Sequence, residues 1–399
     1  MHLRGVAAIS VYYRTAIRIV MQKIIIASDS FKDSLDAPAV CAAIHRGIQK
    51  VLPRAQIQEI PLGDGGEGTA RLLTRIKQAE WIPTKVEDPL GRPIHAGYGW
   101  NATERTAYLD MAEASGLQHL SSKERDPFLS STFGFGQLLK QVLLKSPQKI
   151  LIGIGGSATS EGGIGMATAL GYQFIDKNGK KLTPNGANLS KIEHIFPPDQ
   201  HPVPANCSIS ILCDVNNPLY GPQGAAPVFA EQKGATPGQI KELDKGLKNL
   251  AEMIQRDLNI NVHQLAGGGA AGGLGAGLVA FANAELRPGI DCILEMVDFQ
   301  NFIQHADVLI TGEGKLDAQT GGGKLIQGIC RKAALEKVPV IALCGSLQAS
   351  PEEIQGIGLQ AAFSILSGPM SLTQALPQTS QMLEETAEHL FRVISLTKA

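Results

Sequence analysis

Apolar residues along this chain follow two periods that alternate from segment to segment. The run KIIIAS over 23–28 is compact and β-branched, which suits a strand buried on both faces. Asp36 then offers a helix cap with Pro38 in the first turn, and Val40, Ile44, Ile48 and Val51 return at helical spacing. Residues 56–62 predict a second short strand, and GDGGEGT (63–69) leads into another helix. This strand–helix–strand–helix opening predicts a parallel, doubly wound sheet.

The rhythm changes near residue 80. Two alternating runs, Ile94-Ala96-Tyr98-Trp100 and Ala107-Leu109-Met111, flank 101–104 and predict a hairpin. A helix over 132–144 and a strand over 149–154 follow. From about Asp307 the βαβ rhythm returns, with strands at 308–311, 339–343 and 362–366, a helix over 324–337 and a closing helix from Thr379. The expected fold class is α/β with two domains. A discontinuous Rossmann- or flavodoxin-like parallel-sheet domain comes from both chain ends (21–80 and 285–399). An inserted α/β domain containing the β-hairpin spans 81–284, and residues 1–20 form an N-terminal extension. Ligands are then expected at a cleft where the glycine loops meet.

At 399 residues the chain is too long for one ordinary core, which agrees with two domains. Its net charge of -1 gives no reason to invoke a nucleic-acid or membrane-surface partner. No apolar run reaches the roughly 18 residues of a membrane span. Cys41, Cys207, Cys213, Cys292, Cys330 and Cys344 are scattered without C-x-x-C spacing, so they read as reduced thiols of a cytoplasmic protein. Self-association into a homo-oligomer stays open. Residues 1–20 carry Arg4, Arg14 and Arg18 and no acid. A targeting segment has that composition, but the interrupting arginines favour an upstream start ahead of Met21.

The candidate chemistry lies in clustered glycines. GIGGSA (153–158) reads G-x-G-x-x-A between a strand and a small-residue helix, so Gly155, Gly156 and Ser157 are candidates to bind phosphate through bare backbone N–H groups. The same pattern fits a dinucleotide fingerprint, with Asp176 near the place of a ribose-binding acid, or simply a tight packing turn. In GDGGEGT, Asp64 and Glu67 can hold Mg2+ or accept a hydroxyl proton, or Glu67 can simply favour a helix N-terminus. Asp214 ends the apolar run 209–212, an address for metal binding or for a turn. Ser28, Asp29, Ser30 and Lys32 cluster after the first strand, where Ser30 and Lys32 can take a substrate carboxylate.

The stretch ITGEGKLDAQTGGGK (310–324) asks for the most explanation. A buried strand ending in Glu313 aims an acid toward Mg2+, Asp317 follows on the loop as a base or a second metal ligand, and Gly322 and Gly323 let backbone close on phosphates that Lys324 neutralises. Phosphoryl transfer asks for little else. No Walker A, H-R-D or D-F-G pattern is present, so a standard P-loop enzyme or protein kinase is excluded.

Together SDSFK (28–32), PLGDGGEGT (61–69), GIGGSAT (153–159), CDVNNPLYGPQGAA (213–226), GGLGAGL (272–278) and ITGEGKLDAQT (310–320) resemble the type I glycerate kinase family, from about Met21 to the C-terminus. The resemblance implies transfer of the ATP γ-phosphate to D-glycerate with Mg2+, giving 2- or 3-phosphoglycerate, by two α/β domains. In these terms Asp317, Lys32 and Asp64 are the catalytic candidates and Glu313 and Asp214 the metal candidates. The chain departs from the family pattern at Asp33, where glycine is common, at Ser160-Glu161, where Asn-Asp is usual, and at Leu325-Ile326, where proline is often seen. Two readings compete: an NAD-dependent oxidoreductase, which leaves the acidic loops idle, and a non-catalytic protein that binds a small organic acid.

Overall fold

The structure is a computed structural model that describes residues 22–63, 66, 68–317 and 324–396. In chain order its strands are β1 (Lys23–Ile26), β2 (Gln56–Glu59), β3 (Glu80–Glu87), β4 (Pro93–Asn101), β5 (Thr106–Asp110) and β6 (Lys149–Gly153). Then come β7 (Gln173–Ile175), β8 (His194–Phe196), β9 (Ser208–Leu212), β10 (Glu285–Arg287), β11 (Val308–Leu316), β12 (Val340–Leu347) and β13 (Ala361–Ser364). The described residues of Met1–Ile60, His305–Ala318 and Ala333–Ala399 form one compact unit, and those of Pro61–Gln304 and Gln319–Lys332 form a second.

The first unit holds a five-stranded parallel sheet in the order β13-β12-β11-β1-β2. Ile24, Ile25, Ile26, Leu309 and Ile310 have no exposed surface, as parallel strands covered on both faces require. The helix Ala37–Val51 starts where the sequence places it, with Asp36 Oδ1 accepting the Ala39 N–H at 2.9 Å. It packs against the closing helix Thr379–Leu396, burying Val40, Ile44 and Ile48 with Leu383, Ala387 and Phe391. The two helices approach so closely at Gly47 that an added Cβ would lie 2.2 Å from the Glu384 carbonyl oxygen. Arg46 and Lys50 each meet a Glu384 carboxylate oxygen at 2.7 Å along the rim.

The second unit holds a mixed six-stranded sheet, β10-β9-β6-β5-β4-β3. Its β10, β9, β6 and β5 run parallel, whereas β4 and β3 return antiparallel. The expected hairpin is β4–β5. The strand β3 extends it, although Pro83 sits within it, because an edge strand can spare an N–H. Phe135, Ile150, Ile152 and Phe281 fill one continuous core between this sheet and its helices. The fold is thus α/β, with a discontinuous parallel-sheet unit from both chain ends and an inserted unit that contains the hairpin. No helix among the described residues is long and apolar enough to cross a membrane.

Candidate functional site

In the first unit the strand order reverses between β1 and β11, with β2 on one side of β1 and the remaining strands on the other. Open α/β sheets bind ligands beyond the carboxyl ends of their strands at such a switch point, because the connecting chains part there in opposite directions. Ser30 and Lys32 follow the carboxyl end of β1, and the neighbouring strand β11 carries Glu313 and leads to Asp317. The β1 loop is stitched to β11: Ser28 Oγ donates to the Gly312 carbonyl at 3.0 Å, and the Asp29 N–H donates to it at 3.1 Å. At Gly314 an added Cβ would stand 3.6 Å from Lys32 N, so the Lys32 backbone runs beside the bare strand.

Ser30 and Lys32 are exposed. Asp29 Oδ1 accepts the Ser30 N–H at 2.6 Å, and Lys32 begins a tight turn closed by Phe31 and Leu35. Within that turn Asp33 takes φ 63, a left-handed conformation in which glycine is at ease. Asp317 is 7% exposed, and its Oδ2 meets Lys315 Nζ at 2.7 Å. Glu313 differs from its expected place at a strand terminus. The strand runs on to Leu316, pairing Glu313 with Cys344 and Leu316 with Leu347, so Glu313 lies inside the ladder. Glycine at 314 and 345 permits that extension, since a Cβ on Gly345 would come within 2.5 Å of the Gly314 carbonyl oxygen. Burial pushes the facing Cys344 thiol up to about 12, and the Glu313 charge adds to the effect.

The second unit holds the remaining candidates. After β6 the chain runs without helix from 154 to 163, and the helix Ile164–Ala169 begins only then. The context required of a dinucleotide fingerprint, a helix opening on the glycines, is therefore missing. The chain is instead held extended by a bridge between Gly116 and Ser157, with Ala158 N–H donating to the Ser115 carbonyl at 3.0 Å and Leu117 N–H to that of Gly156 at 2.9 Å. The backbone N–H groups of Gly155, Gly156 and Ser157 have no partner among the described residues, and Gly156 is exposed with φ 71. Those donors suit an anion. Asp176 is a turn residue on the solvent side: its Oδ1 accepts the N–H groups of Asn178 at 2.8 Å and Lys180 at 2.9 Å.

Asp214 follows β9, and its Oδ1 accepts the Gly289 N–H at 2.9 Å where the helix Gly289–Met296 starts. Lys324, the first residue of the helix Lys324–Leu335, donates its ammonium to the Asp214 backbone carbonyl. The structure thus brings Asp214 and Lys324 together in the second unit, and Ser30, Lys32, Glu313 and Asp317 within the first. Asp64, Gly322 and Gly323 lie outside the described residues, as does Glu67. Magnesium binds through one or two carboxylates plus substrate phosphates. Asp214 and Glu313 supply that donor type, and among the described residues no group of three or more His, Cys, Asp or Glu gathers around a common point.

Two charged residues escape the sequence reading, and a third, Glu161, enters it only as a departure from the family pattern. Asp110 ends β5 and accepts the N–H groups of Gly68 and Ala70 at 2.9 and 3.0 Å, holding the start of the helix Thr69–Ile76. It ends an apolar strand just as Asp214 does, and that signal was available. Glu161 and Lys233 are buried behind the loop that follows β6, at 0% and 3% exposure. Nothing in SEGG or EQKG marks either as buried.

Residues 24–395 match the model of the glycerate kinase family. The chain is 41% identical over 379 residues to a glycerate kinase of Halalkalibacterium halodurans, covering 95% of this chain and 100% of the relative. It is 39% identical over 353 residues to a glycerate 2-kinase of Escherichia coli, covering 88% and 93%. A crystal structure from Salmonella typhimurium LT2 that carries the name glycerate kinase 2 superimposes with a TM-score of 0.83 at 39% identity, covering 94% of this chain and 99% of that one. These likenesses favour neither the oxidoreductase nor the non-catalytic reading.

Proposed function

The chain belongs to the glycerate kinase family, and on that premise we propose that it moves the γ-phosphoryl group of ATP to a hydroxyl of D-glycerate, giving 2- or 3-phosphoglycerate. The observation that carries the reading is the switch point of the parallel sheet, where an exposed lysine and serine follow β1 and the neighbouring strand β11 carries Glu313 and leads to Asp317. A three-carbon hydroxy acid needs a cation for its carboxylate and a base for its hydroxyl. Lys32, with Ser30, takes the carboxylate in this proposal, and Asp317 accepts the hydroxyl proton as the phosphorus–oxygen bond forms. The ADP oxygen leaves with the electrons of the broken bond. The N–H groups of Gly155, Gly156 and Ser157, with Lys324, Gly322 and Gly323, bind the nucleotide phosphates. Asp64 joins Asp317 and Lys32 in the catalytic set, and Asp214 and Glu313 are each a carboxylate candidate for Mg2+. That ion supplies charge neutralisation on the transferring group. The proposal extends to a cytoplasmic setting, in keeping with six free cysteines.

Incubation with ATP, Mg2+ and D-glycerate, followed by phosphorus NMR, tests this directly. A new phosphomonoester with stoichiometric ADP is expected, and its chemical environment distinguishes the 2- from the 3-product. Absence of a phosphomonoester, or full turnover in excess EDTA, would overturn it.

A further inference from the structure

Lys233 lies in the short turn Glu231–Lys233 with only 3% of its surface exposed. Its ammonium donates to the Thr159 carbonyl at 2.6 Å and to Ser157 Oγ at 3.4 Å. Ser157 Oγ also accepts the Thr159 N–H at 3.2 Å and lies 3.3 Å from the Ala271 carbonyl oxygen. On the same stretch Glu161 is fully buried, accepting the Thr132 N–H and the Gly165 N–H at 3.0 Å each and the Thr132 hydroxyl at 2.5 Å. No ion pair joins Lys233 to Glu161 among the described contacts, so the lysine is met at short range by neutral acceptors. Burying an ammonium that way is among the least favourable arrangements a core can hold. Burial pushes Lys233 down to about 7, with the Glu161 charge opposing, and pushes the Glu161 carboxyl up. A methionine of similar length would fill the same space without that cost.

The acceptors Lys233 binds belong to the segment whose Gly155, Gly156 and Ser157 N–H groups have no partner among the described residues, with Gly156 exposed. We propose that Lys233 is a positioning residue for a nucleotide phosphate. It fixes Ser157 and the Thr159 carbonyl from the buried side, so that the preceding N–H groups stay directed at the anion, and it sets a positive charge behind them. The inference rests on the kinase reading above, and in particular on this loop being the phosphate-binding element. Helix dipoles and backbone nests already favour anions, and a buried cation under such a nest acts through little screening.

The test uses the full-length protein with Lys233→Met, Lys233→Arg and Gly156→Ala, measuring melting, kcat, and KM for ATP and for D-glycerate separately. Lys233→Met is expected to melt at or above the parent while KM for ATP rises roughly 10–100-fold, the scale of a charge-assisted contact. KM for D-glycerate is expected to change less than about threefold, and Lys233→Arg to recover part of the ATP affinity. A Lys233→Met chain that fails to fold, or melts well below the parent, assigns the lysine to the scaffold and overturns the proposal. Equal loss of affinity for both substrates, or no loss, overturns it too. The Gly156→Ala arm separates this failure from that of the site reading. If Gly156→Ala weakens ATP and Lys233→Met does not, the loop binds phosphate without the lysine. If neither does while the phosphomonoester still forms, the loop is not the phosphate site and the inference falls with it.

Discussion

The stretch that leaves β6 and the stretch that ends β11 are built from the same residue types, yet they hold their charges in opposite ways. Glu161 in the stretch after β6, and Lys233 packed against that stretch from the turn Glu231–Lys233, are 0% and 3% exposed. A glycine from another segment lets backbone pack on this stretch: a Cβ on Gly272, at φ 67, would lie 2.0 Å from the Thr159 carbonyl oxygen. Along β11 and just past it the charges grade from Lys315 in solvent through half-buried Glu313 to Asp317 at 7% exposure. The Lys315 side chain is 51% exposed, and a Cβ on Gly314 would meet nothing nearer than 3.6 Å. One loop is a rigid frame that presents backbone donors. The other is a strand end that presents side chains. Binding a phosphate asks for the first, and moving a proton asks for the second.

The largest expected effect lies on the β11 side. Asp317→Asn keeps size and most hydrogen bonding but removes the charge. If Asp317 is the base, kcat should fall by roughly 10²–10⁴, the range of a lost general acid–base group. Melting should move far less than kcat, since Asn keeps the size and most of the hydrogen bonding of Asp317 and the pair with exposed Lys315 contributes little. A purified variant that keeps more than about a tenth of the parent kcat would remove Asp317 from the chemistry.

Next in size is a stability contrast between the two glycines. Gly272→Ala combines a left-handed φ with a backbone clash, and should cost about 2–4 kcal/mol in urea unfolding. Gly314→Ala meets only ordinary contacts and should stay within about 1 kcal/mol of the parent. Equal losses at both positions would erase the distinction between frame and strand end.

Much of this difference was hidden in the sequence, for reasons that particular residues show. The runs KIII and VLI announce β1 and the start of β11 because both faces of those strands are apolar and buried. The continuation GEGKL does not read as strand, since glycine and charge disguise pairing that the bare backbone of β12 at Gly345 makes possible. β3 does not read as a strand because Pro83 and Lys85 interrupt its alternation, and only its edge position excuses the proline. Candidate acids at strand ends were legible, because an acid after an apolar run has few other reasons to be there. Lys233 was not, because burial is a property of what packs around a side chain. No local pattern carries it.

The smallest expected effect concerns Lys315, and it decides how Asp317 is held. Lys315 Nζ lies 2.7 Å from Asp317 Oδ2, a distance that invites assigning the lysine a role in the reaction. Its exposure argues otherwise. A lysine half in water already has a good partner in solvent, and ordering its side chain offsets much of the Coulomb gain, so such pairs contribute about 0–1 kcal/mol. Lys315→Gln should therefore lower stability by less than about 1 kcal/mol and kcat by less than about fivefold. The gap between parent and variant should also close as salt is raised, because an exposed pair is screened. A Lys315→Gln variant that loses as much kcat as Asp317→Asn, at any ionic strength, would show the lysine contributing charge to the transition state. Asp317 would then be one half of a catalytic pair, and the division between a framing loop and a strand end with one working acid would have to be redrawn.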